Sequence, residues 1–561
     1  MTRLYVHYSW FIFLILLTLL SFCISLYISF TSSSIFFSFP LFNIVNIDLS
    51  VSFFFDFISI WFFSIVLFIS IIIIIYSFFY ISPYSKSVYF LWLTILFVLS
   101  ILIVISINNL IFIILGWDGL GLVSFFLIVF YQNQTSLTSG YFTLLINRIG
   151  DSFFLVSIIF FIYYRSDLDT FCFYYPSLFR ILFLVITFIT KRALFPFSPW
   201  LPAAIAAPTP ISALVHSSTL VTAGLFLMIR FSYFIYSSPY ICSFLRVICL
   251  FTSFYAGINT IFEKDLKKLI ALSTLRHLGF IGFSFSLGLI YFAFFHILTH
   301  ALFKSLLFIT IGDIIININH SQDIRYLSLG NVYSPFSSLV IMVSLLNLLG
   351  LPTLSGYFSK DLVLESFNYS NSSFFLYIIL FTNVFFTYYY TYQLFYFSFQ
   401  SNKLVPYQQF HNQSKFHCLL IIILSLFSIC FGTFYINLIN SSILFLCVPI
   451  SLKFLPLLIN ISFFFFLVIF IYLFRSNNLF LNYYFSTIIF ITPLIKTVVS
   501  NFFLSTSFIL NKRLESGLFN YILNIYPSLL SSFISSQNIT ITLLHPLKLI
   551  LFIIPLFFLF Y

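Results

Sequence analysis

Charged residues are scarce in this chain of 561 residues. Only 7% of its residues are Asp, Glu, Lys or Arg, 61% are hydrophobic, and the mean hydropathy is +1.13. A water-soluble protein of this length needs a far more charged surface, so that class is excluded. The composition predicts an all-α polytopic membrane protein. Lys and Arg outnumber Asp and Glu by 24 to 13, which suits an anionic lipid surface such as one containing cardiolipin.

Cysteine pairs and basic clusters are missing as well. The seven Cys are scattered without a CxxC pair, so nothing indicates an iron–sulfur, haem or zinc site, or a disulfide framework. No basic cluster lies outside the apolar runs, which argues against nucleic acid as a partner. No small-residue cleavage site follows the apolar residues 9–30, and no transit peptide is visible. These residues are therefore interpreted as a first spanning helix.

Long apolar runs fill most of the chain. A spanning helix needs about 20 apolar residues, and on that basis about 15 or 16 transmembrane helices are expected. Segment 484–543 has no clean apolar block, so it is predicted to lie along the membrane as an amphipathic helix, or to hold one poor span and a loop. The predicted spans are 10–30, 52–79, 88–107, 109–131, 141–163, 178–206, 209–232, 239–262, 266–288, 291–315, 335–368, 374–399, 416–438, one or two within 442–474, and 544–561.

Two of the predicted spans contain helix-breaking residues. Pro196 and Pro199 interrupt the sixth span, Pro352 interrupts the eleventh, and a lysine stands near each break. Each broken span is the fourth of a group of five. Paired interruptions of this kind predict two inverted five-helix repeats. The predicted regions are 1–87 with amino-terminal helices, the repeats 88–233 and 239–399, further helices in 400–483, the lateral region 484–543 and an anchor span 544–561.

The most informative stretch is FHILTHALFK, within the tenth predicted span. His296, His300 and Lys304 are spaced by four residues, so they form one ionisable stripe on one face of a helix. Ionisable residues cost about 2.5–3.5 kcal/mol each in a spanning helix, so they rarely occur there without a function. A zinc peptidase would carry Glu in place of Ile297, so a peptidase function is excluded. A transported metal remains an alternative, although a series that passes protons is favoured.

Four further charges lie in earlier spans. Asp118 stands in the middle of the fourth span between glycines that allow a close helix approach; a carboxylate near the membrane interface is the alternative. Arg148 and Asp151 share one helical face, either as a functional pair or as a pair that only permits insertion. Lys191 stands where the sixth span breaks and can exchange a proton when desolvated. Asp118 is its predicted partner.

The remaining candidates flank the stripe in sequence. His216 precedes Ser-Ser-Thr, which predicts a hydrated polar strip and a relay role; a histidine bonded to a neighbour is the alternative. Lys360 and Asp361 follow the second break, with Glu365 as a further candidate one turn on. A surface loop explains these three equally well if the helix stops at Pro352.

These motifs together resemble a known family. The chain is similar to the chain 5 family of NADH–ubiquinone oxidoreductase (respiratory complex I) in its mitochondrially encoded form, over residues of about 100 to 400. The matching stretches are Gly116–Ser124, Asn147–Asp151, Pro202–Arg230, Asp265–Thr274, Phe295–Phe308 and Ser355–Asp361.

The resemblance implies a proton-translocating subunit of the NADH:ubiquinone reductase, with two half-channels that meet on a polar axis. It implies the mitochondrial inner membrane, sister antiporter-like subunits along the lateral helix, and NADH, FMN, iron–sulfur clusters and ubiquinone bound only by other subunits. No cofactor or metal is expected in this chain. A free-standing cation/proton antiporter is the alternative. The implied axis contains the ion pair Asp118 and Lys191, then His216, then Lys304 beside His296 and His300, and finally Lys360 and Asp361.

Several positions depart from the family pattern. Asp118 stands where many members have Glu. Arg192 and Phe195 replace positions that are usually small and amide-bearing, and Arg276 with His277 replaces a Ser-Gln pair. The extra charge is expected to retune or partly block the water path.

Overall fold

A computed structural model describes residues 2–44, 47–81, 86–163, 178–318, 321–327, 334–369, 374–399, 415–439 and 500–513, with the single residues 462 and 517. The chain divides into two compact units, 1–488 and 489–561. The predicted spans within 442–474 and 544–561 lie outside the described residues, as does most of the predicted lateral region 484–543.

Long apolar helices make up most of the first unit. Ten helices within the described ranges are long and apolar enough to cross a membrane, which confirms the polytopic helical class. In the second unit the described residues form one helix, α17, inside the predicted lateral region. The helices are α1 (Thr2–Thr31), α2 (Phe57–Ile81), α3 (Ser87–Ser106), α4 (Leu110–Ile128), α5 (Gln134–Tyr163), α6 (Leu178–Lys191), α7 (Trp200–Ala203), α8 (Thr209–Arg230), α9 (Ser232–Tyr236), α10 (Pro239–Phe262), α11 (Leu266–Ser286), α12 (Ile290–Asn317), α13 (Pro335–Leu349), α14 (Ser355–Tyr369), α15 (Phe374–Phe399), α16 (Lys415–Ile439) and α17 (Ser500–Arg513).

A β-hairpin between α1 and α2 is the part of the fold that the sequence interpretation missed. Strands β1 (Ile35–Ile44) and β2 (Ile47–Phe55) pair antiparallel, whereas the sequence predicted a spanning helix from residue 52. Aromatic and β-branched residues with a partial alternation favour a strand here. Helix α2 begins only at Phe57, because the Asp56 carboxylate accepts a hydrogen bond from the Ser59 backbone N–H at 2.8 Å and caps the helix.

Helix α12 lies at the centre of the first unit. It packs against α2, α8, α11, α13, α14 and α16, and every residue from Ala293 to Ile315 is buried. A helix that is apolar and buried all round faces other helices and not lipid. The ionisable stripe on α12 is therefore surrounded by protein.

Both broken helices end in the same backbone motif. In each, a residue with positive φ follows the last turn, Ala193 (+58°) after α6 and Gly350 (+79°) after α13. The next residue donates its N–H to the carbonyl five positions back, at 3.1 Å and 3.4 Å respectively, which defines a Schellman ending. Pro196, Pro199 and Pro352 follow these endings, so both predicted breaks are present. The inverted relation of the two five-helix groups stays a prediction.

Two loops outside the spans clasp each other. Asp265 and Asp323 face each other in an isolated antiparallel bridge. The Arg325 side chain donates to the Asp323 carboxylate and holds the pKa of that group below its usual range. Burial raises the pKa of Glu263, just beyond α10, to about 7. This clasp joins the α10–α11 connection to the segment that follows α12.

Candidate functional site

Asp118, Arg148, Asp151 and Lys191 form one group, here called the paired-charge cluster, where α4, α5 and α6 meet. Lys191 Nζ lies 3.8 Å from Asp151 Oδ1. Arg148 Nη1 lies 3.6 Å from Asp118 Oδ2 and also 3.6 Å from Asp151 Oδ2. Two carboxylates and two cations therefore balance each other, and Arg148 is shared between the two carboxylates.

The ammonium group of Lys191 is fixed by α4. It donates to the Trp117 carbonyl oxygen at 2.9 Å and lies 4.6 Å from the centroid of the Trp117 ring. A Cβ added at Gly121 would lie 3.3 Å from Lys191 Nζ, so the absence of a side chain there lets the lysine approach. Gly121 thus leaves room for a side chain of α6, and the predicted approach of a helix toward the Asp118 carboxylate stays a prediction.

The predicted pairing of Lys191 with Asp118 is wrong, because Asp151 is the carboxylate that contacts the lysine. The side chains of Asp118 and Arg148 are 37% and 44% exposed, whereas those of Lys191 and Asp151 are 1% and 10% exposed. Asp118 therefore belongs to an outer pair and Asp151 to an inner one. The i, i+3 spacing of Arg148 and Asp151 predicts their contact with each other. It does not predict the contact between Asp151 and Lys191.

His216 lies in a π-helical turn, Ser212–Thr219, inside α8. Its ring packs against Trp200 with 6.2 Å between the centroids. The neighbouring hydroxyls bond to carbonyls of their own helix; Thr219 Oγ1, for example, donates to the Leu214 oxygen at 2.6 Å. These hydroxyls satisfy the carbonyls that the wider turn leaves free, and the predicted hydrated strip stays a prediction. A relay role for His216 stays a prediction.

A second group, here called the cation-rich cluster, contains His296, His300, Lys304, Arg276, His277 and Lys360. Lys304 is fully buried, and its Nζ donates to Ser273 Oγ at 2.6 Å and lies 5.5 Å from the Tyr390 ring centroid. The rings of His296 and His300 are 6.4 Å apart. The predicted stripe on one helical face is therefore present.

Arg276 and His277 enter this cluster from α11, although the sequence interpretation treated them only as departures beside a water path. The His277 ring lies 5.7 Å from that of His296 and 5.6 Å from that of His300. Arg276 Nη2 is 3.1 Å from His277 Nε2, and its guanidinium carbon lies 4.9 Å from the Tyr390 centroid. Their spacing of three and four residues from Ser273 places them on its face of α11, which is the signal that could have identified them.

Lys360 and Asp361 lie inside α14 and are 4% and 2% exposed. The surface-loop alternative is therefore wrong, because the helix resumes at Ser355 after the break. Lys360 Nζ donates to Thr387 Oγ1 at 3.3 Å and to the Leu349 carbonyl at 3.5 Å. Both oxygens of Asp361 lack a hydrogen-bond partner within the described part of the chain. Glu365, one turn further on, is buried as well.

A small cavity lies between α11, α14 and α15. Its volume is about 20 Å³, which is enough for one water molecule. Within the described ranges, no group of three His, Cys, Asp or Glu side chains is arranged to hold a metal ion. The cavity is lined by Arg276, His277, Phe280, Lys360, Asn383, Val384 and Thr387.

Comparison with known proteins gives consistent matches. The family model described as NADH:quinone oxidoreductase/Mrp antiporter, TM, matches residues 107–387, a range that includes both clusters. NADH-ubiquinone oxidoreductase chain 5 of Locusta migratoria is 42% identical over 69% of this chain and 68% of its own length. The protein of the same name from Anopheles gambiae is 39% identical over 80% and 79%.

A solved structure, that of the Mrp complex from Dietzia sp. DQ12-45-1b, contains a chain with a similar fold. The TM-score is 0.72 at 20% identity, over 93% of this chain and 60% of that one. At this identity the likeness concerns the fold alone.

Proposed function

The chain belongs to the NADH–ubiquinone oxidoreductase chain 5 family, and we propose that it moves protons along an axis from the paired-charge cluster through Lys304 to Lys360. It is a membrane-arm subunit of the H⁺-translocating NADH:ubiquinone oxidoreductase. The match to chain 5 proteins, at 39–42% identity, favours this function over a free-standing cation/proton antiporter, because the Mrp structure is only 20% identical.

The observation that carries the proposal is the burial of titratable side chains inside membrane helices. Lys191, Lys304 and Lys360 are 1%, 0% and 4% exposed. Each lysine has hydroxyl or carbonyl oxygens or an aromatic ring as neighbours, which hold an ammonium group in place without fixing its proton permanently. A buried lysine of this kind can load and release protons when a neighbouring charge moves.

Arg148 is the charge whose movement can drive this change. Its guanidinium is equally far from Asp118 and Asp151. A shift toward Asp118 leaves Asp151 to Lys191 alone, and a shift toward Asp151 weakens the hold of that carboxylate on the lysine. Moving one charge against 100 mV costs about 2.3 kcal/mol, and breaking a buried pair changes the energy by about 3–5 kcal/mol. The energy of the Asp151–Lys191 pair, on which the movement of Arg148 acts, therefore exceeds the energy needed to move one charge.

The rest of the proposal concerns the assembly. NADH, FMN, iron–sulfur clusters and ubiquinone are bound by other subunits, and redox energy released there moves Arg148. The region 484–543 lies along sister antiporter-like subunits, anionic lipid such as cardiolipin contacts the basic loops, and the complex lies in the mitochondrial inner membrane. His216 links Lys191 to Lys304, and Asp361 with Lys360 forms the far side of the axis.

Lys304→Met tests the function in membrane vesicles that contain the whole complex. We expect fewer protons pumped per electron while NADH oxidation continues in the presence of an uncoupler, because Met keeps the length of the side chain but cannot carry a proton. Lys268→Met is the matched control, since Lys268 is 48% exposed and pairs with Asp265 outside the axis. An unchanged proton stoichiometry in Lys304→Met would contradict the proposal.

A further inference from the structure

We infer that Arg276 is a positioning residue, a fixed positive charge between Lys304 and Lys360 that keeps these two lysines from holding protons at the same time. The inference rests on the proposed proton-translocating function and adds a control on the number of protons in the axis.

The position of Arg276 is the first step of the argument. Its guanidinium carbon lies 4.9 Å from the centroid of the Tyr390 ring, and Lys304 Nζ lies 5.5 Å from the same centroid. On its other side, Arg276 and Lys360 line the same cavity of about 20 Å³. Arg276 therefore lies next to both lysines, and its charge acts on each of them.

The charge of Arg276 is permanent and has no carboxylate partner among the residues that the structure describes. A guanidinium group does not lose its proton in proteins. Among the described residues, no carboxylate lies within 4.0 Å of the charged nitrogens of Arg276, Lys304 or Lys360. In a buried site with little screening, like charges repel strongly. A proton on one lysine together with the charge of Arg276 therefore opposes a proton on the other lysine.

Arg276 also fixes the state of His277. Because a guanidinium only donates hydrogen bonds, His277 Nε2 must accept the one that joins it to Arg276 Nη2 at 3.1 Å. His277 is thus held neutral, with its proton on Nδ1. Among the three histidines of the cation-rich cluster, His296 and His300 are then the ones that can carry a proton past Arg276.

The titratable and charged groups that face Arg276 come from four helices. They are His277 on α11, Lys304 on α12, Lys360 on α14 and Tyr390 on α15. His296 and His300 on α12 lie next to His277. Asp361 acts on Lys360 from α14, and Glu365 acts on Asp361. If only one of the two lysines holds a proton at a time, a proton leaves Lys360 before the next one settles on Lys304.

The test is the pH dependence of proton pumping in vesicles with the whole complex, compared for wild type, Arg276→Gln and Arg276→Met. Without the fixed charge, a proton on either lysine is repelled less. The alkaline pH at which pumping falls to half should therefore rise by about one unit in both variants. Arg246→Gln is the matched control, because Arg246 is half-buried on α10 and donates to the Ser286 carbonyl, away from the axis. Its profile should equal that of wild type.

Arg276→Lys keeps the test informative if the neutral variants do not assemble. Its ammonium group can lose a proton, so its profile should follow wild type at low pH and depart from it at high pH. A wild-type profile in all three variants would overturn the inference, and so would a shift in Arg276→Met alone, which would indicate hydrogen bonding instead of charge. A wild-type profile that moves when gluconate replaces chloride would also overturn it, because a bound anion would then neutralise Arg276.

The two proposals fail in different ways. If Lys304→Met stops pumping while the Arg276 variants keep the wild-type profile, the fixed-charge inference fails and the proposed function stands. If Lys304→Met pumps normally, the proposed function itself fails.

Discussion

The paired-charge cluster and the cation-rich cluster hold charge inside the membrane in opposite ways. In the first, two carboxylates and two cations lie within 4.0 Å of one another in a chain of three contacts, and its outer members are partly exposed. In the second, basic groups are packed around Tyr390 without a carboxylate in ion-pair contact among the described residues. Hydroxyls, carbonyls and rings take the place of counter-charges there.

This difference suits the paired-charge cluster to act as a switch and the cation-rich cluster to carry protons. A balanced group is stable as a unit, and removing one member leaves a buried charge without compensation. In a group of like charges, removing one member relieves repulsion, so the function suffers and the stability does not. The two clusters should therefore respond differently to substitutions that look alike.

Asp151→Asn should have the largest effect, because it leaves Lys191 buried without its carboxylate. We expect a loss of about 3–5 kcal/mol of stability, together with the loss of pumping through this subunit. The midpoint of thermal dissociation of the purified complex measures the first effect, and protons pumped per electron measure the second.

Asp118→Asn is the matched variant in the same cluster. Within the described residues its carboxylate pairs only with Arg148, and Arg148 keeps Asp151 as a second partner. No buried cation loses its last carboxylate, so the loss of stability should be smaller than in Asp151→Asn. Equal destabilisation by both variants would break the distinction between the inner and the outer pair.

Gly150→Ala should have an intermediate effect. Gly150 on α5 faces the side chain of Thr190 on α6, and an added Cβ would overlap Thr190 Oγ1. Forcing these helices apart costs about 1–3 kcal/mol and separates Asp151 from Lys191, so both stability and pumping should fall. Adding Thr190→Ala should restore much of each. If the double variant pumps no better than Gly150→Ala, the distance between α5 and α6 does not control the pair.

Local geometry explains what could be predicted from the sequence. The stripe of His296, His300 and Lys304 follows from a spacing of four residues, and Pro352 marks a break because proline cannot continue the helical hydrogen bonds. Apolar runs of sufficient length likewise predicted the spans whose helices the structure describes. Each of these depends only on residues close together in the chain.

The parts that were missed depend on contacts between helices. Whether Lys191 meets Asp118 or Asp151 is decided by the rotation of α5 against α4 and α6, which no spacing encodes. Arg276 reaches Lys304 through Tyr390, a residue more than a hundred positions away in the chain. The hairpin of β1 and β2 was missed for another reason, since short Phe-rich strands resemble the start of an apolar helix.

Ser359→Ala should have the smallest effect, and it tests whether the cation-rich cluster relies on neutral partners. Ser359 Oγ lies 2.9 Å from His296 Nδ1 and accepts a hydrogen bond from Thr299 at 3.0 Å. Losing these bonds costs about 1 kcal/mol, so pumping should slow by no more than about tenfold while its stoichiometry is kept. Ser305→Ala is the control, because within the described ranges the Ser305 hydroxyl bonds only to the Leu302 carbonyl of its own helix. A loss in Ser359→Ala as complete as in Lys304→Met would mean that His296 has to be held in one orientation for any proton to pass, and the cluster would then be a gated path and not a set of interchangeable carriers.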